Sequence, residues 1–92
     1  MDAGPITDAV QLGLGVTQAQ LAPLIGVDVR TVVRWHTGEA MPRGAGWAIL
    51  LALRSNLIKR PERTEALRKL VAEALPQRDV LGFLLDRLLS TV

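Results

Sequence analysis

Apolar residues recur along this chain at spacings of three and four, and glycine or proline interrupts the pattern wherever its phase changes. Ile6, Val10 and Leu14 fall on one face of a helix over about residues 6–14, which Gly13 and Gly15 end. Thr17 is a good N-cap for a second helix over about 18–25, with Leu21 and Ala22 turned inward, and Gly26 closes it where a left-handed residue is wanted. Asp28 caps a third helix over about 29–37, which Gly38 stops. A fourth, over about 45–57, contains the run WAILLAL, too apolar for a surface helix and hence the central core element. Pro61 opens a fifth helix whose stripe is Leu67, Leu70, Val71 and Ala74, and Pro76 separates it from a sixth written RDVLGFLLDRLLSTV. No segment alternates as a strand would, so the fold class is all-α.

The third helix poses a problem of its own. At 100° per residue from Asp28, Val32 and Trp35 fall at about 40° and about 340°, the inward side, and both Trp35 and Trp47 are expected in the core. Arg30, Val33, Arg34 and Thr37 fall between about 140° and about 240°, with Val29 flanking them at about 100°. The outward face is therefore apolar and basic together, which is a poor design for water. A major groove offers each group a partner: guanine O6 and N7 accept bidentate bonds from arginine, and valine covers a thymine methyl. Phosphate contacts are expected from Thr17, Gln18 and the free backbone N–H groups at the start of the second helix, and from Arg43 just after the motif.

The segment from Val16 to Pro42, VTQAQLAPLIGVDVRTVVRWHTGEAMP, places two short helices about a glycine turn, which is a helix-turn-helix signature. Thr17-Gln18, Leu21-Ala22, Ile25-Gly26-Val27, Thr31-Val32, Arg34-Trp35, Gly38 and Pro42 resemble, in order and spacing, the lambda-repressor/Cro-type family, also called the xenobiotic-response-element family. With the first and fourth helices the resemblance extends over 6–57. Two positions depart from the pattern: Pro23 lies within the second helix, and His36 stands where the family commonly has an acid. The resemblance implies a bundle of about five helices plus a C-terminal helix, binding double-stranded DNA in the major groove as a small transcriptional regulator. It implies that Gln18, Val29, Arg30 and Arg34 occupy positions that touch bases or the adjoining backbone. Autoregulatory repressors of phage, plasmids or toxin–antitoxin operons have this size and layout.

A chain of 92 residues forms one domain, here with a helix-turn-helix core over 1–58 and a helical hairpin over 59–92. The sixth helix is apolar nearly all round, through Val80, Leu81, Phe83, Leu84, Leu85, Leu88 and Leu89. That surplus predicts a homodimer through Leu81, Leu84, Leu85 and Leu88, reading a pseudo-palindrome with two recognition helices about 34 Å apart. Two alternatives stand beside it. The sixth helix could pack back on the fourth and fifth, or the hairpin could grip a partner protein such as a toxin, making the chain an antitoxin or adaptor.

Charge and composition sharpen the picture modestly. The formal charge is +2, with Arg43, Arg54, Lys59 and Arg60 in an acid-free stretch after the motif, while Asp2 and Asp8 precede it. Arg54, Lys59 and Arg60 read as a solvated helix end. With one histidine, no cysteine and no phosphate-binding glycine loop, no catalytic site, metal site or cofactor is expected. No apolar run spans a bilayer and no signal-peptide pattern opens the chain, so a cytoplasmic protein is expected.

Overall fold

The computed structural model describes residues 3–90 as helices α1 (Ala3–Leu14), α2 (Gln18–Ile25), α3 (Val29–Thr37), α4 (Gly44–Lys59), α5 (Thr64–Ala74) and α6 (Val80–Ser90), with a 3-10 turn at Pro61–Arg63. Among these residues there is no strand, and no helix is long and apolar enough to cross a membrane. Asp2, Thr91 and Val92 lie outside the described residues.

Local signals fix α2 and α3 to the residue. The Thr17 hydroxyl accepts from the Gln20 N–H at 3.1 Å, while the Gln20 side chain accepts from the Thr17 N–H at 3.0 Å, so two otherwise unpartnered donors are satisfied reciprocally. Thr17→Ala should therefore cost about 0.5–2 kcal/mol of stability in a thermal or denaturant melt. An unchanged melt would mean that this cap does not hold α2. Gly26 then adopts φ 74°, the left-handed conformation that lets its N–H return to the Ala22 carbonyl while the chain turns into α3. The Asp28 carboxylate accepts from the Arg30 N–H at 2.8 Å and starts α3. Helix α2 continues unbroken through Pro23.

The other boundaries move for identifiable reasons. Helix α1 begins at Ala3 rather than near residue 6, with Pro5 accommodated in the first turn. Thr7 interrupts the apolar stripe yet is fully buried, because its hydroxyl donates to the Ala3 carbonyl at 2.7 Å. Helix α4 extends to Lys59, where the residue before Pro61 leaves helical space: Arg60 has φ −131° and ψ 61°. Pro61 consequently opens a 3-10 turn, and α5 starts at Thr64.

Helix α1 packs against α3, α4 and α5, while α2 contacts α3, α4 and α6. Leu21, Leu24, Ile25, Val32, Leu50 and Leu53 are essentially inaccessible at the centre. Trp35 and Trp47 are both buried, as expected, and meet edge to face with centroids 5.3 Å apart, joining α3 to α4. Gly46 permits the close approach of α4 to the turn after α2. A Cβ there would collide with Val27 Cγ1 and sit 3.2 Å from the Ile25 carbonyl oxygen. Arg68 Nε donates to the Gly13 carbonyl at 2.8 Å, tying α5 to the end of α1.

Helix α6 corrects the expected contact surface. It packs chiefly on α5 and α2, where the alternative read from the sequence places it on the fourth and fifth helices. Leu84, expected at a contact between copies, is 0% exposed and belongs to the core. Leu88 is half-buried against that core, and Leu81 lies over the Gly26 turn, where an added Cβ would stand 2.6 Å from its Cδ2. Phe83 is partly covered by the Arg87 guanidinium, 4.9 Å from its ring centroid. Leu85 remains half-buried, and Leu89, at 74% exposure, is the most open of the apolar residues of α6. The physical reason is that α2 offers α6 an apolar surface within the same chain, so most of the apparent surplus is consumed internally.

Candidate functional site

The rotation of α3 in the fold follows from which side chains its neighbours bury. Val32 and Trp35 are at 0% and 2% exposure, which turns the opposite side outward. Val29 and Val33 are 40% and 38% exposed, large apolar side chains left open although the core lies one helix face away. The Arg30 and Arg34 side chains beside them are 83% and 61% exposed. Two rows at i, i+4 thus run side by side along the helix, valine beside arginine. Thr37 is exposed at the end of the face, its hydroxyl donating to the Arg34 carbonyl at 3.3 Å. All five side chains expected on one face are therefore together on it.

The remaining candidates stand on neighbouring elements. Thr17 is exposed at the start of α2, and although its oxygen is used by the Gln20 N–H, its own proton remains available to a further acceptor. Gln18 is half-buried. An α-helix supplies no internal partner for its first N–H groups, here those of Gln18 and Ala19, because the cap reaches only Gln20. Arg43 is exposed, with its backbone extended at the N-cap of α4 and its side chain making no capping bond. His36 is exposed, beside a shallow open cleft that Gly4, Pro5, Asp8 and Gly38 also line.

Two acids flank the α3 face, and their role was not read from the sequence. Asp28 Oδ1 stands 3.6 Å from Arg30 Nε, and Glu39 Oε2 stands 3.9 Å from Arg34 Nε. The Arg30 backbone N–H, reinforced by the Arg30 guanidinium charge, holds the Asp28 carboxyl below the usual carboxylate range. A folded-state value below the unfolded one means that this cap supports the fold at neutral pH. That support fades as the pH falls through the lowered value. Asp28 could have been found as a carboxylate two residues before an arginine. Glu39 could not be found by helical spacing, because it lies beyond Gly38, whose φ of 79° turns the chain back. The Glu39 N–H then donates to the Arg34 carbonyl at 2.8 Å, returning the residue to the end of α3. Met41, 85% exposed in the loop before Arg43, was likewise not singled out.

No known protein family, curated protein or solved structure matches this chain.

Proposed function

We propose that this protein binds double-stranded DNA sequence-specifically, with α3 in the major groove, as a small transcriptional regulator that represses from the operator it occupies. The observation that carries the reading is the exposed pairing of Val29 and Val33 with Arg30 and Arg34 on a helix whose opposite side is locked in the core. Water gives such a face no use for its valines. Base edges give a use to every member of it, since arginine bonds guanine and valine covers thymine methyls. The capped start of α2, with Thr17, Gln18 and two unpartnered first-turn N–H groups, is suited to a phosphate, as is the free Arg43 side chain. These contacts position the protein, while α3 discriminates. The function requires no cofactor and no catalytic group.

One α3 reads one half-site, so the regulator acts as a two-fold pair on an inverted repeat. Of the leucines of α6, Leu89 is exposed and Leu81, Leu85 and Leu88 are half-buried, while Leu84 is withdrawn into the core, which leaves a second copy a narrower patch than the leucine pattern implied. An operator composed of a single unrepeated half-site would contradict the pairing.

The methyl contacts give a direct test of the reading. Replacing thymine by uracil in the duplex that the protein selects from a random pool removes the methyl and leaves every Watson–Crick pair intact. Each methyl covered by valine should be worth about 0.8 kcal/mol, or roughly fourfold in affinity. Val33→Ala should weaken binding to the thymine duplex and reduce the uracil penalty. Equal affinity for thymine and uracil duplexes would remove the valines from the groove.

A further inference from the structure

The α3 face carries its own counter-ions, one at each end. Asp28 is fixed at the leading end, where its Oδ1 both caps α3 through the Arg30 N–H and faces the Arg30 guanidinium. Glu39 is fixed at the trailing end by its backbone bond to the Arg34 carbonyl and faces the Arg34 guanidinium. At 3.6 and 3.9 Å, both separations exceed the 2.7–2.9 Å of a direct charge-assisted bond. All four side chains are well exposed, at 83% and 59% in the first pair and 61% and 72% in the second. Pairs this open and this long are weak contributors to folding and exchange readily for another partner. Their position, at both ends of one helix face and on its two arginines, is what calls for an explanation.

We infer that Asp28 and Glu39 are specificity-determining residues, which hold Arg30 and Arg34 in reserve and weaken binding to DNA that offers those arginines only phosphates. The inference rests on the DNA-reading function proposed above. Sequence-independent affinity comes from cations that neutralise phosphates and release counter-ions. An arginine already facing a carboxylate contributes less to that release, and the carboxylate itself is repelled as it nears the backbone. At a cognate site a guanine presents O6 and N7 together, and the planar guanidinium leaves its carboxylate for a bidentate partner. The penalty from the two acids therefore falls more heavily on random DNA than on the operator. Discrimination comes from an element that disfavours the wrong partner as well as from one that favours the right one.

The test compares wild-type protein with the D28N/E39Q double variant and with E39Q alone, each against the selected duplex and a scrambled duplex of equal length. Asparagine is as good an N-cap as aspartate, and E39Q alters no cap, so folding should be preserved in both. The double variant should bind the scrambled duplex about tenfold more tightly and the selected duplex less than threefold more tightly. Its logarithmic salt slope on the scrambled duplex should steepen by roughly two, one for each arginine released to a phosphate. E39Q should show about half of that steepening. A control, E62Q/E65Q, makes the same change in net charge at exposed positions outside this face and should leave the ratio of the two affinities unchanged. Equal gains on both duplexes, or none, would overturn the inference while leaving the DNA-reading function in place. A wild-type protein that prefers no duplex over the scrambled one would overturn the function and the inference together.

Discussion

Replacing Arg30 and Arg34 together by alanine should abolish preferential binding to the selected duplex while leaving the fold intact. Each guanidinium that engages a guanine bidentately contributes about 1–3 kcal/mol of discrimination. The pair should therefore cost at least about 30-fold in affinity for the cognate duplex. Little of this loss should come from folding, because both side chains are largely exposed and their contacts with Asp28 and Glu39 are surface ion pairs. Titration of both duplexes by fluorescence anisotropy, beside a thermal melt, separates the two effects. Loss of selectivity at an unchanged melting temperature is the expected result. Full selectivity in the double variant would place the reading surface elsewhere on the molecule.

Leu84→Ala should produce the largest loss of stability along α6. The side chain is completely buried where α6 joins the core, and such truncations cost about 2–5 kcal/mol through lost transfer energy and the cavity left behind. For a domain of this size that corresponds to a fall in melting temperature of roughly 10 °C or more. Leu89→Ala, on the same helix at 74% exposure, should fall within about 0.5 kcal/mol of wild type when measured on the monomer. The contrast separates a core position from a surface position only five residues away. It also determines which variant can probe association between copies. A polar substitution at Leu84 unfolds the chain, whereas one at Leu89 leaves it folded. Near-equal melts for the two alanine variants would contradict the inward rotation of α6.

The two helices flanking the Gly26 turn were legible in the sequence because the signals that bound them act over a few residues. Thr17, Gly26, Asp28 and Gly38 each set a terminus through a bond or a dihedral angle reaching no further than four positions. The outward face of α3 was legible for the same reason, since Val32 and Trp35 mark its inner side strongly enough to fix the rotation. Helix α6 was not, because apolar residues on nearly every side let periodicity select no face. Its rotation depends on α5 and on α2, the latter more than fifty residues earlier, and leaves Leu84 fully buried. The start of α1 was obscured by Gly4 and Pro5, which read as a break although Pro5 fits the first turn, and the burial of Thr7 depends on a hydroxyl bond that no hydropathy pattern reveals. The counter-ions divide along the same line. Asp28 is near Arg30 in sequence, whereas Glu39 reaches Arg34 only because the backbone reverses at Gly38.

Selection of binding sites from a pool of random duplexes, followed by affinity measurements on the winner at two salt concentrations, addresses the proposed function at its root. Enrichment of an inverted repeat with guanines and thymines in each half, and half-site centres about 10 base pairs apart, is the predicted result. Affinity for the selected duplex should fall steeply with salt yet stay well above that of a scrambled duplex at both concentrations. No enrichment, with weak binding that salt removes from every duplex alike, would contradict a DNA-reading role for the valine–arginine face.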